Sequence, residues 1–555
     1  MKFCLALLLS VFRVLVIPAQ FEDCPITSER EDIRSMLGEA SAYFNSQNAP
    51  DTVSVQFELA PTITLPAKTS YYGRNGSAAH DLKIYEAVCA ACRQAADSLD
   101  ISVYDMDDDG EIECVALLTA GLSEADATAE DNIWPQQDRL SAHSGTIKAG
   151  GKTIDNYIVI PELRSDAGLD PALTGIGDLC HEFGHILGLP DFYDTDGLGS
   201  GGESKAMWGV LSLMDKGNRN DKGRTPPYLN APEYELLGIG SCEDLAVGEY
   251  TLEPLHKGRR YLRHKGPTEG EYFLFEVRDA GGRDEFTGGS GLLVYHMDKT
   301  SPYKDRWTDN SINVSPAHQC AYIVADSEAE DVSEVFFPAS GRNSFTSGGR
   351  PAFKFWDGST STLALTDIKR SPDGSVRFKV IEPLKFTEVT PFQDAVLLNW
   401  ELDTSLGGVS TYVIYSTSGA AADTLDAGQK TGCTIERLKS GKTYEIELLT
   451  ETRNTGNFSI KTSVTTKSAH SGAMPFIYLE SAERGGDGSF VKGTRIPLRL
   501  YNLGEAQEVA WYFNGAAITA GADGYIAVNG SGRLKAVALL EDGSRIIIEK
   551  EIYVK

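Results

Sequence analysis

The sequence predicts a multidomain α+β protein, with a mixed α/β N-terminal region followed by all-β modules. Three observations predict it. Apolar runs such as RVLVIPAQF and DNYIVIPEL alternate with helix-like stretches up to about residue 242. Beyond Gly248 helical periodicity nearly vanishes, and short alternating runs (EYFLFEVRD, SGLLVYHMD, SVRFKVIEP) are separated by Gly, Asp and Pro turns. The length of 555 residues also exceeds a single domain of roughly 150 residues several-fold.

The composition narrows the function classes. With 51 Lys+Arg against 79 Asp+Glu the net charge is −28 at 41% hydrophobic residues, which is globular but too acidic for a nucleic-acid binder or a polybasic membrane-surface protein. The acid is concentrated: between Arg93 and Arg139 there are 13 carboxylates and no Lys or Arg. A solvated acidic face explains that, and so does a cation site.

The chain opens on MKFCLALLLSVF, one Lys followed by an apolar run too short to cross a bilayer but suited to a signal-peptide core. Residues 1–12 are therefore expected to be a leader. The protein is expected to be exported to an extracellular, cell-surface or periplasmic location, with no membrane span in the mature chain. Cys4 precedes the apolar run and Cys24 follows Glu22-Asp23, so neither suits a lipoprotein anchor. The run from Arg13 to Ala19 reads as a buried strand. Nine cysteines are scattered; Cys89 and Cys92, on the helix KIYEAVCAACRQAADSL, are read as packing residues, as is Cys180.

The acidic turn YDMDDDGEIE follows that helix. Asp105, Asp107 and Asp109 alternate and lead into Gly110 and Ile112, the first half of an EF-hand loop, so structural calcium is expected there. The Glu111 carbonyl is in reach. The twelfth position is Ala116 rather than a bidentate Glu, with Glu113 as its substitute.

The decisive stretch is DLCHEFGHILGLPDFYDTD, Asp178 to Asp196. His181 and His185, four apart on a helix, lie about 40° apart around the axis and about 6 Å along it, so both imidazoles leave one face. Two such imidazoles suit zinc. Glu182 beside the first one is placed as the general base of an HExxH hydrolase. Gly188 ends the helix in a sharp turn and Pro190 prevents its resumption. The turn brings back Asp191 as third ligand, a metzincin-like HExxHxxGxxD arrangement. Rival ligands are Glu203, 18 residues past His185, and Asp194 and Asp196. Asp191 is preferred because the Gly188 turn has no purpose if Glu203 ligates. Met214 in MWGVLSLMDKG is placed to form a Met-turn beneath the ligands. Tyr228 in TPPYLNAPE is a candidate oxyanion donor, with a packing tyrosine as its alternative.

Beyond Pro383, Trp400 lies on AVLLNWEL, and Leu438 is followed by Tyr444 at the spacing of a tyrosine corner, so residues 383–468 resemble a fibronectin type III sandwich. Residues 474–555, with Trp511, read as an Ig-like sandwich, and residues 243–382 as a separate β-rich domain.

Taken together, RVLVIPAQFED, YDMDDDGEIECVALLTAG, NIWPQ, IDNYIVIPEL, GIGDLCHEFGHILGLPDFYDTDG, PPYLNAPE and INVSPAH resemble the immune inhibitor A family of secreted bacterial metallopeptidases. The resemblance covers about residues 13–380. It implies a zinc endopeptidase whose metzincin-like catalytic domain, residues 13–242, precedes a β-rich domain. Family members usually carry an N-terminal propeptide, whereas here the apolar leader runs straight into the first strand. They often have His where Tyr228 stands. The expected function is hydrolysis of protein or peptide substrates by zinc-activated water with Glu182 as base. The sandwiches would bind a surface or substrate. The competing classes are a non-catalytic surface or adhesion protein with a vestigial zincin domain and a zinc amidase acting on glycan-linked substrates.

Overall fold

A computed structural model describes residues 11–47, 54–76, 80–126, 129–143, 145–165, 170–339, 341–403, 408–452, 457–468, 474–479, 489–503, 506–521, 524–540 and 542–555. The expected leader lies outside these up to residue 10, while Val11 and Phe12 already belong to the first strand. The chain divides into two compact units, Met1–Asn343 with Asp367–Phe378, and Ser344–Thr366 with Lys379–Lys555.

The first unit is built on a mixed sheet in the order Ala172–Leu173, Asn156–Arg164, Val115–Leu122, Val11–Gln20, Ser54–Leu59. The last four strands run parallel. The apolar runs that read as buried strands are the central ones, since a parallel sheet is covered on both faces. Alternation sorts their side chains. Val14, Val16, Ala116, Leu118, Ile158 and Ile160 face a core shared with the helices Arg30–Gln47 and Gly177–Ile186. Leu15, Ile17, Val115, Leu117, Tyr157 and Val159 face the helix Ile84–Ser98, where Cys89 and Cys92 are buried. A short strand, Gln136–Arg139, pairs antiparallel to Asn156–Val159 and forms an edge.

Helices thin out past residue 243 as the composition anticipates, but the core does not stop there. The cluster holding Val14 and Phe183 continues through Tyr261, Leu274, Tyr295, Ile312, Ala321 and Phe336. Tyr261, Leu274, Tyr295 and Ala321 come from a second sheet ordered Ser241–Asp244, Arg260–Lys265, Glu271–Arg278, Gly291–Asp298, Ala321–Ile323. Glu271–Arg278 and Gly291–Asp298 are buried along their whole length, so both faces of this sheet are covered as well.

In the second unit, the three strands Leu384–Pro391, Val396–Leu402 and Gly432–Ile435 and the four strands Asp423–Gly428, Gly408–Ser416, Thr443–Thr452 and Phe458–Thr465 enclose one core. Trp400 is buried in it. The Lys439 N–H donates to the Tyr444 phenol oxygen at 2.8 Å, the corner bond expected from the Leu438-to-Tyr444 spacing. The C-terminal strands surround another core, against which Trp511 packs partly buried.

Candidate metal centre and catalytic cleft

The helix Gly177–Ile186 is held at both ends of its face pattern. Phe183, about 200° around the axis from His181, drives its ring edge-on into Phe12, Phe44 and Phe57 at centroid distances of 5.3, 5.1 and 5.2 Å. That anchors one face to the sheet. The opposite face carries His181 and His185 into a cleft of about 410 Å³.

The helix stops in a Schellman turn: the Gly188 N–H donates to the His185 carbonyl and the Leu189 N–H to that of Gly184, both at 3.0 Å. Gly188 has φ +98°, a left-handed conformation that a side chain resists. The same turn fixes a ligand candidate, because the Leu189 carbonyl accepts from His185 Nδ1 at 2.9 Å. His181 Nδ1 meets the Leu213 carbonyl at 2.8 Å. A carbonyl only accepts, so each Nδ1 carries the proton and each Nε2 of a neutral ring presents a lone pair.

Both lone pairs converge on Asp191. Its Oδ1 lies 3.1 Å from His181 Nε2 and 3.4 Å from His185 Nε2, and it is buried with no hydrogen-bond donor. Three acceptors pressed together out of water require a cation. Tetrahedral zinc with bonds of 2.0–2.1 Å separates its ligand atoms by about 3.3 Å, so the residues present fit that ion. The titration of the group expresses the same demand. Burial opposes the imidazolium, but the neighbouring carboxylates Asp191 and Glu182 outweigh it and raise His181 to about 9. Burial would raise Asp191, and its two histidines instead hold it well below the carboxylate range. Glu182, next to the pair and lining the cleft, is raised by burial, in the direction a general base at neutral pH needs.

Met214 packs against Gly184 on the histidine helix. It is fully buried, its carbonyl accepts from Phe192 N–H at 2.8 Å, and its own N–H donates to Ser212 Oγ and Glu233 Oε1 at 3.1 and 3.3 Å. Glu233 in turn belongs to a capping box with Asn230.

The rival ligands go elsewhere. Glu203 is exposed beside Lys216, Asp194 accepts from the backbone of residues 196, 197 and 204, and Asp196 accepts from Ser200. The structure does not bring Tyr228 to the cleft: its ring stacks on His256 at 4.2 Å and its N–H donates to Asp284. A tyrosine that the sequence reading gave no role lines the cleft instead. Tyr193 stacks over His181 at 6.4 Å, and burial, then the charges of Asp191 and Glu182, push its phenol up, so it keeps its proton. Its place two residues past Asp191 was the available signal. Trp134 to Gln137, from NIWPQ and the edge strand, and Trp307, Thr308 and Asn310 form the remaining walls.

In the acidic turn Asp105, Asp107 and Asp109 converge within 4.8 Å. Asp105 Oδ2 accepts from Lys152 Nζ at 2.6 Å and the Gly110 N–H at 3.0 Å, while its Oδ1 is buried and accepts from no group. Glu113 turns to the Met106 N–H, and burial, with Asp107 and Asp105 nearby, pushes it up to about 7. Glu111 is exposed on a strand of two residues.

A helix bearing two histidines and a glutamate, with a returning aspartate, defines a metallopeptidase-type domain. Residues 26–233 match the catalytic domain of the immune inhibitor A peptidases, M6. Immune inhibitor A of Bacillus thuringiensis subsp. alesti is 28% identical over 191 residues, 31% of this chain and 27% of that one. The pre-pro-metalloprotease PrtV of Vibrio cholerae serotype O1 is 25% identical over 189 residues, 31% of this chain and 20% of that one. The chain thus matches about a quarter of the length of these relatives. The fn3 domain of human collagen alpha-1(XX) chain is 25% identical across 16% of this chain and 83% of that one, at a TM-score of 0.14, too low to assign a fold.

Proposed function

We propose that the protein is an exported zinc-dependent endopeptidase. The observation that carries this is the convergence of His181 Nε2, His185 Nε2 and the donorless Asp191 Oδ1 beside Glu182 in an open cleft. Zinc held by these three residues supplies Lewis acidity toward the scissile carbonyl and the attacking water. Glu182 takes the proton of that water and returns it to the leaving amine. Tyr193, protonated and facing the same space, donates to the oxyanion. The extended substrate aligns along Gln136–Arg139, outside which no further strand of the sheet lies among the described residues.

Comparing the wild type with Glu182→Ala on an unfolded protein substrate, with bound zinc measured, tests this. The variant is expected to keep its zinc and lose roughly 10²–10⁴-fold in rate. Equal cleavage by both proteins would sink the mechanism.

Structural calcium at Asp105, Asp107 and Asp109 is a second reading, favoured by the buried, donorless Asp105 Oδ1. The Tyr444 corner bond supports a fibronectin type III-like module over residues 383–468, with an Ig-like module over 474–555. We assign both to binding a surface or substrate.

A further inference from the structure

Asp191 is gripped by a residue 119 positions later. Its backbone N–H donates to Asn310 Oδ1 at 2.7 Å, and Asn310 Nδ2 donates back to Asp191 Oδ2 at 2.7 Å. An N–H only donates, so the amide orientation is fixed by its partners: the oxygen must face the backbone and the NH₂ the carboxylate. Asn310 has φ +52°, a conformation Asn tolerates better than most residues. Its carbonyl accepts from Thr195 Oγ1 at 3.1 Å. Three residues on, the buried Asn313 donates to the Phe192 and Ala321 carbonyls at 2.9 and 2.8 Å. It accepts from the backbone of Cys320 and Ala321 at 3.0 and 3.1 Å. Residues 191–195 and 310–313 are thereby laced together side chain to backbone.

The consequence falls on one torsion. A carboxylate held only through its Cα swings either oxygen toward the imidazoles. With Oδ2 tied to Asn310, Oδ1 alone faces both Nε2 atoms. We propose that Asn310 is a positioning residue for the third metal ligand. The segment from Trp307 to Asn313, beyond the family match of residues 26–233, is then an integral part of the metal site. This rests on the zinc reading above.

Zinc affinity, measured by competition with a chromophoric chelator, tests it in the full chain for the wild type, Asn310→Asp, Asn310→Gly, Asp191→Ala and the Asp191→Ala/Asn310→Gly pair. Melting is followed with and without zinc. Asn310→Asp keeps the shape and the acceptor for the Asp191 N–H but replaces the donor with a carboxylate; Asn310→Gly keeps the backbone conformation and removes the side chain. Both are expected to weaken zinc roughly 10–100-fold, as loss of an outer partner of a metal ligand does, and to shrink the zinc-induced rise in melting temperature. In the pair, Asn310→Gly should add little to the loss from Asp191→Ala. Wild-type affinity in either folded variant, equal destabilisation with and without zinc, failure of both variants to fold, or full additivity in the pair overturns the proposal. Tight zinc binding by Asp191→Ala overturns the ligand assignment itself, and the proposal with it. That outcome is recognised by the single variant at 191.

Discussion

Gly184 and Met214 occupy one another's space: a Cβ on Gly184 would lie 2.6 Å from Met214 Sδ. In an exposed helix Gly→Ala gains about 1 kcal/mol, but here the sulfur is fully buried and the backbone behind it is tied to Ser212 and Glu233. Overpacking costs about 1–3 kcal/mol and wins. Gly184→Ala should lower stability by about 1–2 kcal/mol in denaturant melts and reduce turnover. A variant more stable than wild type with full activity would show the packing of Gly184 on Met214 to be loose.

Tyr193 and Tyr228 separate the cleft from its surroundings. Tyr193→Phe removes the phenol proposed as the oxyanion donor and should cut kcat by roughly 10²-fold with KM little changed. Tyr228 stacks on His256 outside the cleft, so Tyr228→Phe should leave both constants close to wild type. Steady-state kinetics on one peptide decide; the opposite ranking would mean that substrate lies elsewhere.

Asp81 Oδ2 accepts from the Trp134 N–H at 2.8 Å and Gln136 Nε2 at 2.9 Å, fixing the cleft wall. Burial, partly offset by these donors, pushes its carboxyl from 3.8 to about 7. The native state therefore holds this proton more tightly than the unfolded chain. The contribution is fully present below pH about 3.8 and lost as pH rises through about 7. Asp81→Asn, whose oxygen can serve both donors, should be more stable than wild type at pH 8, by an amount on the order of 2–4 kcal/mol. The advantage should fade toward pH 4. Parallel stability curves for the two proteins would refute the coupling.

The acidic turn already holds one cation, the Lys152 ammonium on Asp105. If calcium binds at Asp105 Oδ1, saturating calcium should raise the melting temperature of the zinc-loaded protein, by the equivalent of about 2.7 kcal/mol at a hundredfold excess over Kd. Lys152→Met should respond more strongly. Unchanged melting in both proteins, with and without a calcium-selective chelator, would leave Lys152 as the turn's sole counter-charge.

Local chemistry makes much of this legible in the sequence. The spacing of His181 and His185, the left-handed turn at Gly188, the return of Asp191 and the corner at Tyr444 are all written within a few residues of themselves. The apolar runs announced central strands because burial on both faces removes alternation. Asn310 escaped because its meaning lies in a partner 119 residues away, and its own surroundings carry no periodic signal. Tyr228 follows Met214 in the sequence but packs outside the cleft, while Tyr193 is marked only by its nearness to Asp191. The core crossing residue 243 was equally hidden, since alternation reveals that a strand buries a face but not against what.

The two carbonyls that fix the imidazoles, those of Leu189 and Leu213, belong to irregular turns rather than to the ladders of the sheet. Turns open locally at lower free energy than central strands. Once either carbonyl leaves, its imidazole is free to change tautomer and to rotate, and the lone-pair triangle is gone. Heating should therefore silence the protein through escape of its ion while amide exchange still reports a protected sheet. Inactivation and melting would be two events at two temperatures, and the first should reverse when metal is restored.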